Sequence, residues 1–302
     1  MSLDASAPSQ SGFSSARKLR DFALLLIGTT AIGTSSIFVR LAETDPAATG
    51  FWRMVFALPI FLIWSRIEQK PLSPGLDGKA LAAAILAGAA FGLDLVLSNI
   101  ALGLTSMTSF IILVHLAPVV VVIVAWFWFR EKPTPGLILA LGQALVGAVL
   151  LVQSGRSTAL ARNALLGDLA SIGAAVGYAG FILATRRARM GASTGRVSLI
   201  SACFCALFCL VASFLLGESL WPRSNQGWLM LAGMGLLCHA FGQGISAYAV
   251  SSLGASVTSI VLVYGVAVTI AGGWLFFNEV PNLLQAIGGA LVLAAVVLCR
   301  PK

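Results

Sequence analysis

Apolar residues run through this chain in long blocks parted by short polar breaks, without the two-residue alternation of strands. A helix needs about 20 predominantly apolar residues to cross a bilayer. Ten blocks approach or reach that length, at 21–41, 47–65, 79–101, 105–129, 135–153, 166–185, 196–216, 227–249, 254–277 and 282–299. Backbone groups in lipid must be satisfied within their own segment, and runs this long and unalternating do not suit a barrel, so each block is predicted to be a helix. The predicted fold is an all-α integral membrane protein with ten transmembrane helices.

The pattern repeats. FGLDLVLSNIALGLTSMTSFIILVHLAPVVVVIVAWFWFREKP, from Phe91 to Pro133, returns from Phe241 to Pro281 as FGQGISAYAVSSLGASVTSIVLVYGVAVTIAGGWLFFNEVP. Ser106, Thr108 and Ser109 match Ser256, Thr258 and Ser259; Glu131 and Pro133 match Glu279 and Pro281 after a two-residue slip. Earlier, Asp21, Ala23, Gly33 and Arg40 match Asp168, Ala170, Gly180 and Arg187. Arg17, Lys18 and Arg20 ahead of the first block resemble the start of a signal peptide. A block with an internal counterpart is instead read as the first helix. Doubled apolar units mark transporters. The predicted organisation is a disordered Ser/Ala-rich cytoplasmic tail over 1–20, a first repeat over 21–153, an outer linker over 154–165 and a second repeat over 166–302.

Composition agrees with a bilayer. Hydrophobic residues make up 58% of the chain and charged ones 10%, too apolar a balance for a soluble domain. The net charge of +8 reads as topology. With a cytoplasmic N-terminus, of the 19 basic residues only Arg40, Arg53, Arg156, Arg162 and Arg223 fall on the outer side. Both termini are then cytoplasmic, and five helices per half make the halves inverted copies (5+5). Such halves place a substrate site near the midplane and expose it by rocking, which is alternating access. A nucleic-acid partner would need a basic soluble patch that this pattern does not offer. The five cysteines fall within predicted spans without CxxC pairing, so neither a metal nor a disulfide is inferred, and no cofactor.

Two short loops, Glu131-Lys132-Pro133 and Glu279-Val280-Pro281, part the last two predicted helices of each half. With the inverted five-helix repeats, this resembles the EamA repeats of the drug/metabolite transporter superfamily, from about Asp21 to Arg300. The order of motifs is similar to the YddG-type amino-acid exporters. The resemblance implies export of amino acids, aromatic or other neutral ones among them, and of related metabolites across a bacterial inner membrane. The expected partners are a small-molecule substrate and the lipid bilayer; the sequence does not fix the oligomeric state, and a monomer is compatible with it.

Polar groups inside a membrane are costly, so each is a candidate. Asp94 is the one carboxylate well inside a predicted span, fit either to meet a substrate ammonium or proton, or to pair with Arg40 or Arg53. Asn99 lies about 140° further round the same helix. His115 and His239 fall near mid-membrane without repeat counterparts, and Gln243 follows His239 by one turn. With Tyr178, Tyr248 and Tyr264 they would give a cavity with hydrogen-bonding ends and aromatic walls. Pro118 frees backbone groups in its helix and is a hinge candidate. Arg53 is read as snorkelling to the interface, and Trp126, Trp128, Trp221 and Trp228 as interface anchors.

Three other functions are weighed. A proton-coupled multidrug exporter of lipophilic cations would rest on Asp94, because the first helix holds no carboxylate between Asp21 and Glu43. A sugar-phosphate antiporter would need Lys or Arg at mid-membrane, where none is expected. A membrane-embedded enzyme would need grouped acids, histidines or a nucleophile; no such motif accompanies His115 and His239, so no enzyme is expected.

Overall fold

The computed structural model describes residues 10–68, 77–105, 110, 113–152, 163–277 and 282–300. Helices account for almost all of them, and among the described residues there is no strand. Ser106, Thr108 and Ser109, Glu279 and Pro281, and most of the expected linker lie outside the described residues.

The first half comprises α1 (Gln10–Gly33), α2 (Ser35–Leu41), α3 (Pro46–Ile67), α4 (Gly78–Leu104), α5 (Ala117–Phe129) and α6 (Pro135–Val152). The second comprises α7 (Ala164–Arg189), α8 (Thr194–Leu216), α9 (Asn225–Gly233), a π-helical stretch (Met234–Gln243), α10 (Gly244–Leu253), α11 (Ala255–Leu262), α12 (Tyr264–Phe277) and α13 (Leu283–Leu298). Reading through the short breaks, 7 helices among the described residues are long and apolar enough to cross a membrane, and three apolar helices are shorter, at Ala117–Phe129, Pro135–Leu151 and Leu283–Leu298. α1 begins at Gln10, inside the tail expected to be disordered.

Four expected helices are interrupted, each for a local reason. Between α1 and α2, Thr34 turns its hydroxyl back to Ala31 O at 2.8 Å, a bond that competes with the helical ladder. Before α5, Pro118 cannot donate to the preceding turn, so the chain turns at His115–Leu116 and the helix restarts with the proline in its first turn. Between α11 and α12, the Val263 N–H closes a tight bond to Ile260 O at 3.1 Å, and the helix begins anew at Tyr264. The fourth irregularity is the π stretch itself, flanked by Gly233 and Gly244.

α3 and α8 pack antiparallel and cap each other at both ends. The Ala48 N–H donates to Glu218 Oε2 at 2.9 Å, and the Gly195 N–H to Glu68 Oε2 at 2.7 Å. Each carboxylate thereby meets unpaired donors in the first turn of the partner helix. α4 is wedged between α7 and α8, and α6 lies along α13. Glycine permits the closest crossings: a Cβ at Gly177 would come within 3.0 Å of Ala90 O and Asp94 N, and one at Gly28 within 3.0 Å of Gly242 O. These gaps bring backbone against backbone, the small-residue packing of helices in lipid.

The core is built from Met54, Phe61, Phe91, Phe181 and small residues of α3, α4, α7 and α8, with a second cluster joining Phe22 and Leu25 to α6, α11 and α13. Outside it, Phe127, Trp128, Phe214, Leu215, Leu275 and Phe276 are exposed on three different helices. An apolar exterior on this scale is a lipid-facing surface. Trp126 and Trp128 are exposed, as interface anchors would be, but Trp228 is half-buried and packs on Trp52 with ring centroids 4.7 Å apart.

Candidate functional site

The helix interruptions converge. Gly33 and Ser35 from the α1–α2 break, His115 and Pro118 from the turn before α5, Val263 and Gly265 from the α11–α12 break, and Gln243 at the end of the π stretch all line one cavity of about 370 Å³. That volume falls within the small end of ligand pockets. Irregular backbone is tolerated at membrane depth where it lines such a space. One freed carbonyl, Gly33 O, accepts from Thr269 Oγ1 at 2.8 Å.

Four of the expected site residues, Asp94, His115, Tyr178 and Gln243, line this cavity, and so does Pro118. Pro118 sits buried at the start of α5, so the bend there is the start of a helix and no kink inside α5. Asp94 is 8% exposed and accepts from Ser98 Oγ at 3.3 Å. Tyr178, on α7, meets Gln243 across the cavity floor.

The remaining four lie elsewhere. His239 is one layer deeper, its ring stacked on Phe91 at 5.6 Å and edge-on to Phe61 at 5.7 Å. Tyr248 is far from the cavity, where its hydroxyl accepts from Arg20 Nη2 at 2.9 Å. Tyr264 packs into the cluster of α6, α11 and α13, while its neighbours Gly265 and Val266 line the cavity. Asn99 is half-buried and lines no part of the cavity, in keeping with its angle from Asp94.

Arg53 overturns two expectations. It does not snorkel: it is 8% exposed, lines the cavity, and holds its guanidinium carbon 5.6 Å from the Phe91 ring centre. A cation therefore stands buried inside the helix bundle, where none was expected. Its Nε has no hydrogen-bond partner, and among the described residues no ion pair within 4 Å joins it to Asp94. Both charges are available to a third party. Ser98, Ser259 and Thr269 complete the polar lining. Their signal in the sequence is weak, because a serine or threonine in a membrane helix is as readily satisfied by its own backbone, as Ser259 is by Ser256 O at 2.9 Å.

One end of the bundle is rich in charge and bridged by polar contacts. Glu131 accepts from the Ala255 and Ser256 N–H groups, both at 3.3 Å, at the start of α11, and meets Arg186 Nε at 3.4 Å. Arg186 Nη1 also donates to Ser251 O at 2.8 Å, and Arg189 Nε to Ala247 O at 3.2 Å. The cavity lies in the half of the bundle away from this basic end. All five thiols are free, and among the described residues no group of three or more His, Cys, Asp or Glu could hold a metal ion.

A helical bundle with a lipid-facing exterior, whose broken helices surround a polar cavity, is the build of a membrane transporter. The chain belongs to the EamA-like transporter family, whose model matches residues 21–153 and 165–300. It is a transporter and not an enzyme. Among its relatives, the pseudopaline exporter CntI of Pseudomonas aeruginosa is 24% identical over 283 residues, covering 92% of this chain and 96% of that protein. An uncharacterized transporter of Archaeoglobus fulgidus is 23% identical over 288 residues, covering 92% and 97%. A protein crystal structure at 18% identity superposes with a TM-score of 0.72 over 92% of this chain and 97% of that one, a likeness of fold.

Proposed function

We propose that this transporter exports small zwitterions, amino acids among them, from the cytoplasm across a bacterial inner membrane. One observation carries the reading: Arg53 and Asp94 stand in the same cavity without pairing to each other. A solute with one carboxylate and one ammonium satisfies both, and neither a plain anion nor a plain cation does. Phe91 and Tyr178 supply an aromatic wall, and Gln243 and Ser98 neutral hydrogen-bonding groups. The CntI relative, named an exporter, supports the direction.

Alternating access between inverted halves is supported by a pair of equivalent contacts at opposite ends. The Ala48 N–H with Glu218 caps one end of the α3–α8 couple and the Gly195 N–H with Glu68 caps the other in the same way, and by the match of Asp21 to Asp168, Ala48 falls on Gly195. The positive-inside rule assigns the basic end to the cytoplasm. The cavity then belongs to an outward-facing state with the cytoplasmic side closed.

The second reading, a proton-coupled exporter of lipophilic cations, is favoured by Asp94 beside aromatic walls and opposed by Arg53, whose charge repels a cation in the same low-dielectric space. Counterflow in proteoliposomes separates the two. Vesicles loaded with unlabelled amino acids are expected to take up a labelled one without an imposed gradient, while tetraphenylphosphonium stays outside even under a pH gradient. Gradient-dependent tetraphenylphosphonium transport with every amino acid inert would reverse the assignment.

A further inference from the structure

Gln243 lines the cavity and also a void behind it of about 10 Å³, whose walls include Phe181, Thr185, Ser198, His239 and Ala247. Four atoms on its lining residues have no hydrogen-bond partner among the described residues: Thr185 Oγ1, Ser198 Oγ, His239 Nδ1 and Gln243 Oε1. All four residues are more than nine-tenths buried. The two hydroxyls forgo a bond that was open to them. Other helical hydroxyls in the chain turn back on the carbonyl four residues earlier, as Ser171 does to Gly167 O at 2.8 Å and Ser246 to Gly242 O at 3.2 Å. Thr185 and Ser198 do not, although Phe181 O and Thr194 O stand at the same offset. A second void of the same size shares Gln243 and Thr185, but its other hydroxyls, Ser246 and Thr258, are bonded within their own helices. The unmet atoms therefore converge on the first.

Four unmet groups around this volume suit a single water. A void of about 10–15 Å³ suffices for one when two to four polar groups surround it. Donors and acceptors also balance. Gln243 Oε1 only accepts, and His239 Nδ1 accepts when the ring proton sits on Nε2, so one water can donate to both while accepting from the Thr185 and Ser198 hydroxyls. Left dry, each of the four would carry the cost of an unsatisfied buried group. The cavity is affected because an amide has two ends. With Oε1 bonded in the void, Gln243 turns its NH2 group to the cavity, where it meets Tyr178. It then offers only donors there, as Arg53 does, whereas Asp94 accepts.

We propose that the void holds one structural water, bound by Thr185, Ser198, His239 and Gln243, and that this water fixes Gln243 as a hydrogen-bond donor to the substrate's carboxylate. Thr185 is then a positioning residue, one that does not itself line the cavity. The role towards the carboxylate rests on the zwitterion reading above; the water does not.

Crystallography of the unchanged protein, at a resolution that shows ordered solvent, is expected to place a density peak in the void within hydrogen-bond reach of Gln243 and His239. Thr185→Val keeps the shape and removes one of the water's partners, so its melting temperature in detergent is expected to fall by about 2–4 °C. Thr29→Val is the control, because Thr29 Oγ1 is likewise buried and unpartnered among the described residues but lines neither void. There the swap removes an unsatisfied group and is expected to leave the melting temperature unchanged or higher. No density in the void, or a Thr185→Val protein at least as stable as the parent, would overturn the water. In counterflow, Thr185→Val is expected to raise the KM of an amino acid about three- to tenfold without weakening competition by the corresponding amine, and Thr185→Ser to keep the parent KM. An amino-acid KM that does not move, or an amine weakened as much as the amino acid, would overturn Gln243 as the carboxylate donor. Absence of any amino-acid exchange, with the density and stability results as expected, would sink the zwitterion reading and leave the water standing.

Discussion

Arg53→Met probes the site most directly, because it removes the charge while keeping a long apolar stem in place. In the parent, the guanidinium is nearly buried, has no partner for its Nε, and lies over the Phe91 ring at 5.6 Å. The fold loses that cation–π contact, about 0.5–2 kcal/mol, and is relieved of a desolvated charge, so the melting temperature is expected to hold or rise. A bound amino acid loses a charge-assisted hydrogen bond to its carboxylate, about 1.5–3 kcal/mol. At about 1.4 kcal/mol per tenfold, affinity falls roughly ten- to hundredfold. The assay is counterflow KM in proteoliposomes, beside thermal stabilisation of the detergent-solubilised protein by the same solute. An amino-acid amide, a cation that lacks the carboxylate, is expected to bind the variant at least as well as the parent, because the repulsion from Arg53 is gone. Equal KM for an amino acid in parent and variant, with both folded, would show that Arg53 does not touch the carboxylate and would remove the main support for a zwitterionic substrate.

Asp94→Asn is expected to weaken amino acids about tenfold or more while des-amino analogues, anions that Asp94 repels, bind at least as well as before, measured by the same competition. Gly177→Ala places a Cβ 3.0 Å from two backbone atoms of α4, Ala90 O and Asp94 N, so the helices must part; about 1–3 kcal/mol of stability is expected to be lost, with transport falling as Asp94 shifts. Gly142→Ala, with no atom within 4 Å of the added methyl, serves as the control and is expected to leave the melting temperature unchanged or higher. Glu68→Gln and Glu218→Gln each weaken one end of the α3–α8 couple, by about 1–2 kcal/mol. Because α3 holds the two caps about 30 Å apart, their costs are expected to add in the double variant.

The apolar blocks, the doubled pattern and the Glu-x-Pro loops were legible because lipid imposes one-dimensional rules. A helix must be long enough, its backbone must close on itself, and its polar residues must have a reason to be there. The same reasoning reached Asp94, His115, Tyr178 and Gln243, since a polar group deep in an apolar run has few places to go. It failed on Arg53 because a long aliphatic stem lets one sequence position serve either the interface or the interior. It misplaced Tyr248, which looks like a cavity wall by composition and is an anchor for Arg20 by geometry.

The chain's own pattern thus carries the apolar segments, their helical form and their doubling, all consequences of hydropathy and local backbone closure, beside the motifs that resemble the EamA repeats. Which faces meet was decided only by packing. The breaks at Thr34, His115–Leu116 and Val263 and the π stretch over Met234–Gln243 each shift the register of the residues after them, so an ideal 100° step no longer tells where a side chain points. Those irregularities gather at the cavity, and Arg53 faces Asp94's space because α3 is held there by α8 and by the caps at its two ends. Contacts between segments far apart in the chain set that arrangement, and hydropathy along the chain carries no record of them.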